Sequence, residues 1–425
     1  MSQTTPLRWL PLDNAAKIYP AARRKNWSNV FRLSATLTEP VDPDVLQSAL
    51  DITVKRFPSI AARLRRGVFW YYLQQISQTP PIGREHSYPL TRMSKEETRR
   101  CALRVIVYQN RIAVEYFHSL TDGTGGLVFL KSLVAEYLEQ KHHISIPATH
   151  GILDRRESPK QEELEDSFLR WAGPLQASRQ QRTAWHLSGT PTANGYLHLT
   201  CFQLPVQALL EMAHKHGVSL TVFLTAVLMD ALQQLQQEKV RDIRRRKPIK
   251  VLIPVNLRKL FPSKTLRNFA MYTTPEILPK LGQYSLTEIC SIIQHRMGLE
   301  NTAKHMSRMI ATNVASEKVM AVRIMPLFIK NMVMKAVFDA VGECKSCLTL
   351  SNLGQVTLPE EMTPYVERLD FILGAQATAP YNCGVLSYGD TVYINFIRNI
   401  RQPELERCFH RVLRDLGLPV TVESN

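Results

Sequence analysis

The sequence predicts an α/β fold, with helices packed on mixed β-sheets in each of two halves, and three observations carry that prediction. Segments alternating apolar and polar residues recur between segments of helical spacing in both halves, a pattern of α/β layers rather than of a helical bundle or a β-sandwich. A polar stretch rich in Ser, Gln, Arg and Pro, from about 150 to 194, separates the halves. The length of 425 residues and the hydrophobic content of 44% suffice for two packed cores. The expected division is an N-terminal subdomain at 1–170, a crossover linker at 171–194 and a C-terminal subdomain at 195–425, with no short-period repeat.

Taken in order, 30–37 alternates as a strand. Asp42 then caps a helix with Pro43 at its first position, whose inner face is Val45, Leu46, Ala49, Leu50, Thr53 and Val54 and which Pro58 ends. Strands are expected at 61–64 and 69–76, with Trp70, Tyr71 and Tyr72 of the second read as core. The runs 103–108 and 111–117 form a hairpin across Gln109-Asn110, and Leu127, Leu130, Leu133, Val134, Tyr137 and Leu138 then recur at helical spacing. A short helix at 164–171 lies in the crossover. The second half reads as a strand at 197–204, helices at 206–216 and 220–237, the latter capped by Ser219, a strand at 251–255 and a helix at 286–304. Strands at 348–351, 368–373, 384–388 and 391–397 and a last helix at 403–416 follow.

The stretch with most chemical content is Val114 to Gly126, where a strand delivers His118 into a turn holding Asp122, Gly123, Gly125 and Gly126. His-x-x-x-Asp is a weak pattern alone, and this chain repeats it at His150 and Asp154. That second copy follows polar residues and has no strand before it and no glycines after it. Context therefore selects His118. The glycines read as a tight turn needing unusual dihedrals, or as close backbone approach with helix-start amides that could cradle a phosphate.

Further segments, in order, extend the signal. Ile253-Pro254-Val255-Asn256-Leu257-Arg258 precedes Thr265-Leu266-Arg267-Asn268-Phe269, Leu350 to Val356 contains Ser351-Asn352-Leu353-Gly354, and Arg56-Phe57-Pro58 lies near the amino terminus. With the His118 motif, these make the chain resemble the CoA-dependent acyltransferases built like chloramphenicol acetyltransferase, a group that includes alcohol acetyltransferases, plant acyltransferases and the condensation domains of peptide synthetases. The matches span about 8 to 400. Condensation domains usually carry two adjacent histidines, and here Phe117 takes the first place; the Asp-Phe-Gly-Trp-Gly motif of plant acyltransferases is absent. The resemblance thus points to a free-standing bacterial or fungal enzyme of the alcohol acetyltransferase kind.

The resemblance implies two chloramphenicol acetyltransferase-like subdomains with an active-site tunnel between them. Acyl transfer from a thioester to an alcohol needs a base for the hydroxyl proton and an acid for the departing thiolate, and a histidine with pKa near 6.5 can serve as both. The resemblance gives His118 that role. Spacing alone would make Asp122 its dyad partner; the resemblance implies instead that Asp122 pairs with Arg258 across the domain boundary, with Gly123 also supporting the site. Ser351 and Asn352 read either as donors polarising the thioester carbonyl or as strand-end structure. Acyl-CoA is the implied co-substrate, with no permanently bound cofactor and no metal, and the acceptor is a small-molecule alcohol or amine. Two alternatives stay open: a carrier-protein-dependent condensation domain, and an inactive binding module.

A formal net charge of +16 suits an anionic partner. Its densest cluster includes Arg244, Arg245, Arg246 and Lys247, read either as a solvated connection between helix and strand or as a landing site for the phosphates of coenzyme A or for acidic lipid headgroups, so that peripheral contact with an anionic membrane stays open. Zinc-finger spacing, RNA-binding aromatics and basic heptads are lacking, which argues against nucleic acid. Seven scattered cysteines argue against a disulfide framework, and Cys344-Lys345-Ser346-Cys347 reads as incidental. No secretory signal is visible, and the apolar stretch 319–341 is interrupted by charges and a proline, so a cytoplasmic monomer is expected. His142, His143, His214 and His216 read as surface residues, and Met306, Met309, Met320, Met325, Met332 and Met334 as core filler or pocket lining.

Overall fold

The computed structural model describes residues 8–21, 23, 29–174, 182–318, 324–337, 345–375 and 379–425. Its strands are β1 (Trp9–Pro11), β2 (Val30–Leu37), β3 (Ala62–Arg66), β4 (Tyr71–Gln75), β5 (Gly83–Arg84), β6 (Leu103–Tyr108), β7 (Arg111–Phe117), β8 (His198–Pro205), β9 (Ile249–Asn256), β10 (Ala270–Thr273), β11 (Glu276–Ile277), β12 (Leu348–Val356), β13 (Val366–Ile372), β14 (Tyr381–Tyr388), β15 (Thr391–Arg398) and β16 (Thr421–Ser424). Among the described residues they form a three-stranded sheet β1-β4-β3, a five-stranded sheet β13-β2-β7-β6-β5, and a sheet β10-β9-β12-β14-β15-β8-β16 with β11 added on β9. The chain is thus α/β with mixed sheets, as the sequence patterning predicts.

The five-stranded sheet grows from the β6–β7 hairpin. Its turn residue Gln109 has φ of 52°, the positive value that a two-residue turn needs to match the strand twist, and Tyr108 faces Arg111 across it. Phe31, Leu33, Ala35 and Leu37 of β2 and Ile112, Val114 and Tyr116 of β7 are buried, with Leu130, Leu133, Val134, Tyr137 and Leu138 of the helix Gly123–His142 in the same core. Alternation sends Arg32 and Glu115 to the opposite face, where the Arg32 guanidinium spans Glu115 at 2.7 Å and Glu85 at 2.6 Å. The helix Pro43–Arg56 begins as its sequence requires: the Asp42 carboxylate accepts from the N–H groups of Asp44 and Val45, and Pro43 occupies the first turn.

The β13 strand departs from the expected division at 195–425. It leaves the C-terminal half and pairs antiparallel with β2, Leu369 facing Ala35, to complete the five-stranded sheet. The reason is complementary burial and hydrogen bonding on both sides. Val366, Leu369, Phe371 and Ile372 join the N-terminal core, while Asn395 Nδ2 donates to the Asp370 carboxylate at 3.1 Å and Tyr388 donates to the Val366 carbonyl at 3.0 Å. Where β13 crosses β14, a Cβ on Gly384 would stand 2.3 Å from the Phe371 carbonyl oxygen, so only glycine permits that approach.

The larger sheet carries the helices Leu220–Lys239 and Glu404–Asp415 on its buried side, where Phe223, Val227, Leu405 and Phe409 meet Phe202, Phe396 and Ile394. Ser219 caps the first of these through the Val222 N–H, as expected. The single helix expected at 286–304 is two, Leu286–Glu300 and Ala303–Lys318, broken at Asn301-Thr302. A third core joins Phe168 of the short helix Ser167–Trp171 to Phe269, Met306 and Ile310, so this helix is packed against the second half.

Other expectations are corrected. Trp70, Tyr71 and Tyr72 are half-buried rather than core, because β4 belongs to a small sheet with an open face: Trp9 stacks on Tyr72 and the Lys330 ammonium lies 3.4 Å from the Trp70 ring centre. Met306 is core, but Met332 is exposed on the helix Leu327–Val337; Met320 lies outside the described residues. His142 is half-buried and engaged, bonding Glu39 at 2.6 Å and stacking on Tyr365. Cys344 lies outside the described residues, whereas Cys347 is buried with its sulfur accepting from the Lys250 N–H. Among the described residues no single helix is long and apolar enough to cross a membrane, and no group of His, Cys, Asp and Glu could hold a metal.

Candidate active site

His118 stands where β7 ends and the chain turns toward the helix Gly123–His142. The antiparallel register Val30–Phe117 puts β2 beside it, and its own N–H donates to the Asn29 carbonyl at 2.7 Å. The imidazole is half-buried, stacked on Tyr19 with ring centres 4.4 Å apart and met edge-on by Phe31 at 5.1 Å. Burial pushes it below the ordinary value of 6.5, against the opposing pull of the Asp122 charge and of Asn268. The neutral ring is therefore the resident form at physiological pH.

Asn268, from the loop after β9, fixes which ring nitrogen carries the proton. Its Nδ2 donates to the Asp13 carboxylate at 3.2 Å and to the His118 carbonyl oxygen at 3.0 Å, so the amide oxygen faces His118 Nδ1 at 3.0 Å. An oxygen there accepts, so Nδ1 holds the hydrogen and Nε2 keeps the lone pair. Asp13 is fully buried; desolvation raises its carboxyl to about 6, with Arg267 pulling the other way. Arg267 is itself buried and donates to the carbonyls of Leu164 and Pro11. In the sequence Asn268 lies within the segment Thr265 to Phe269 with no signal of a role, and nothing in the pattern of 8–20 marks Asp13 or Tyr19.

Asp122 turns away from the His118 side chain. Its carboxylate caps the following helix through the Gly125 N–H at 3.0 Å and accepts from Arg258 Nη1 at 2.8 Å and from the Phe269 N–H at 2.9 Å. Arg258 is held in turn, donating to the carbonyls of Thr265 and Arg267. The structure thus brings Asp122 and Arg258 together across the two halves, with the pair screened from solvent. Thr121 adds a hydroxyl bond of 2.5 Å to the Leu266 carbonyl, and Asn256 Nδ2 one of 3.1 Å to Thr124. The glycines show no left-handed backbone. Gly125 is required by approach: a Cβ would lie 2.2 Å from the Leu266 oxygen. Its N–H and that of Gly126 are already spent on Asp122, which removes them as a phosphate cradle.

The other candidates are placed less centrally. Ser351 and Asn352 lie on β12, whose next residue, Leu353, packs over Gly123; Asn352 itself donates to Thr221 at 3.0 Å and accepts from the Gly354 N–H. Arg244, Arg245, Arg246 and Lys247 lie before the far end of β9. Eight residues at about 3.3 Å each put them more than ~20 Å from Asn256 and Arg258. A cavity of about 700 Å³ opens elsewhere, between β2, β8, β13 and β16. Its cations are already paired, Arg32 with Glu85 and Glu115, and Arg368 with Asp370 and Glu423.

The backbone, two sheets bridged by a crossing strand, matches solved structures over nearly the whole chain. The fold is that of the CoA-dependent acyltransferases and condensation domains. TRI101 of F. sporotrichioides, solved with coenzyme A and T-2, superposes with a TM-score of 0.61 at 12% identity, covering 98% of this chain and 99% of its own. Polyketide synthase associated protein 5 of Mycobacterium tuberculosis gives 0.59 at 16% identity over 96% and 98%. The starter condensation domain of rhizomide synthetase, as an R148A mutant with C8-CoA, gives 0.60 at 13% over 96% and 93%. The sequence itself matches no family model and no curated protein. The acyltransferase fold is thus shared through backbone path at identities that carry no substrate.

Proposed function

We propose that this protein is an acyltransferase that moves an acyl group, acetyl in the simplest case, from acyl-CoA to an alcohol by direct transfer, with His118 as general base and then general acid. The observation that carries the reading is the Nδ1 contact with Asn268: it leaves Nε2 of a neutral, half-buried imidazole as the proton acceptor at the seam of an acyltransferase fold. Nε2 takes the hydroxyl proton as the oxygen attacks the thioester carbonyl carbon. The tetrahedral intermediate then expels the CoA thiolate, which takes the proton back from Nε2. Nδ1–H stays on Asn268 throughout, so one ring orientation serves both transfers.

Asp122 and Arg258 contribute by holding the His118 loop against the second half rather than by touching the reacting atoms. Among the structural neighbours, TRI101 structures contain coenzyme A, which supports the donor class. Incubation with a mixed acyl-CoA and alcohol library, read by mass spectrometry and thiol release, should yield an ester, and His118→Ala should abolish it with the thermal midpoint preserved. Wild-type-like turnover in that variant would refute the assignment, and activity only on acyl carrier protein would move the donor to the condensation-domain type.

A further inference from the structure

The helix Leu327–Val337 and the turn between β3 and β4 form a single exposed feature. The Lys330 ammonium donates to the Phe69 carbonyl at 2.9 Å, the Leu327 N–H donates to the Val68 carbonyl at 3.0 Å, and Asn331 donates to the Tyr71 hydroxyl at 3.2 Å. These bonds fix the helix to the hairpin while both turn apolar side chains outward. Val68 is 73% exposed and Met332 70%, with Ile324, Phe328, Phe69 and Val333 also open to solvent. Large apolar side chains gathered this way mark an interaction surface.

Charge and position say what covers it. From 62 to 76 the chain carries Arg63, Arg65 and Arg66, from 324 to 337 the exposed Lys335, and neither segment has an acidic residue; Lys330 is buried and engaged with Phe69 and Trp70. Apolar side chains framed by cations are the composition of an interfacial lipid-binding element, in which the apolar groups enter the headgroup boundary and the cations meet acidic lipid. The helix also packs on the helix Ile18–Ala21, whose Tyr19 stacks on His118. One short helix therefore separates the exposed surface from the candidate base.

We propose that this hairpin and helix dock the protein on an anionic phospholipid surface, so that a lipid-dissolved substrate reaches His118 from the bilayer side. The docking stands on the surface alone; its consequence for turnover rests on the acyltransferase reading. The full chain should sediment with phosphatidylcholine vesicles containing phosphatidylglycerol and much less with phosphatidylcholine alone. Phe328→Glu with Met332→Glu should weaken that binding by about tenfold or more, and spare turnover of a water-soluble acceptor while reducing that of one presented in vesicles. His118→Ala should bind vesicles like the wild type, which separates failure of docking from failure of the chemistry. The proposal is overturned if the wild type binds neither vesicle, if the double variant binds undiminished, if Arg244→Glu with Arg245→Glu abolishes binding while Phe328→Glu with Met332→Glu does not, or if the surface captures acidic acyl carrier protein and ignores lipid.

Discussion

At the residue scale, the unusual partner is an amide where hydrolase triads place a carboxylate. Asn268 orients the His118 ring without adding a formal charge, so its hydrogen bond and the Asp122 charge only partly offset the cost of burying an imidazolium. Because the folded-state value is lowered, the base form persists below pH 6.5 and is lost only as pH falls through the depressed value; the acid limb of kcat/KM should therefore lie below 6.5. Asn268→Asp would set a second carboxyl between Asp13 and Nδ1–H, and the negative charge that the pair holds beside the ring should move that limb upward. A pH–rate profile of both proteins checks this, and an unmoved limb would make Asn268 merely structural. His118 was legible from its strand and its glycines. Asn268 was not, because an amide's meaning lies in what faces it, and Asp13 and Tyr19 come from a segment without periodic pattern.

At the element scale, the turn from β7 into its helix is held by one carboxylate with three donors. Asp122→Ala removes a helix cap and strands the Arg258 guanidinium in a screened position, so it should cost about 3 to 5 kcal/mol in urea unfolding. Asp122→Asn keeps an oxygen for the Gly125 N–H and should cost less. Gly384→Ala would force β13 and β14 apart and should lower stability by about 1 to 3 kcal/mol, measured by the same denaturation. Caps and hairpins were readable because their signals are local: Asp42-Pro43, Ser219 and Gln109-Asn110 each specify an element end by their own chemistry. The break at Asn301-Thr302 was not, since apolar spacing continues through it into the second helix.

At the scale of the whole molecule, the halves are not separable pieces. The five-stranded sheet is finished by β13, which also packs on β14 and β15 of the other sheet. A fragment ending at 174 would leave the β2 edge open with its core partners missing, and should be insoluble or lack dispersed NMR signals; a well-folded fragment would show that β13 is dispensable. Calorimetry of the intact chain should show one main transition rather than two. The strand character of 368–373 was legible in its alternation, but its neighbour was not, because period two says which face is buried and says nothing of which strand lies alongside.

That interleaving sets an order of events for biosynthesis. The edge that β13 will occupy is made early, and the ribosome must deliver the chain through Ile372 before the sheet can close. Until then an unfinished β-surface waits in the nascent chain, and refolding from denaturant should be slow and chaperone-assisted, as distant pairings demand.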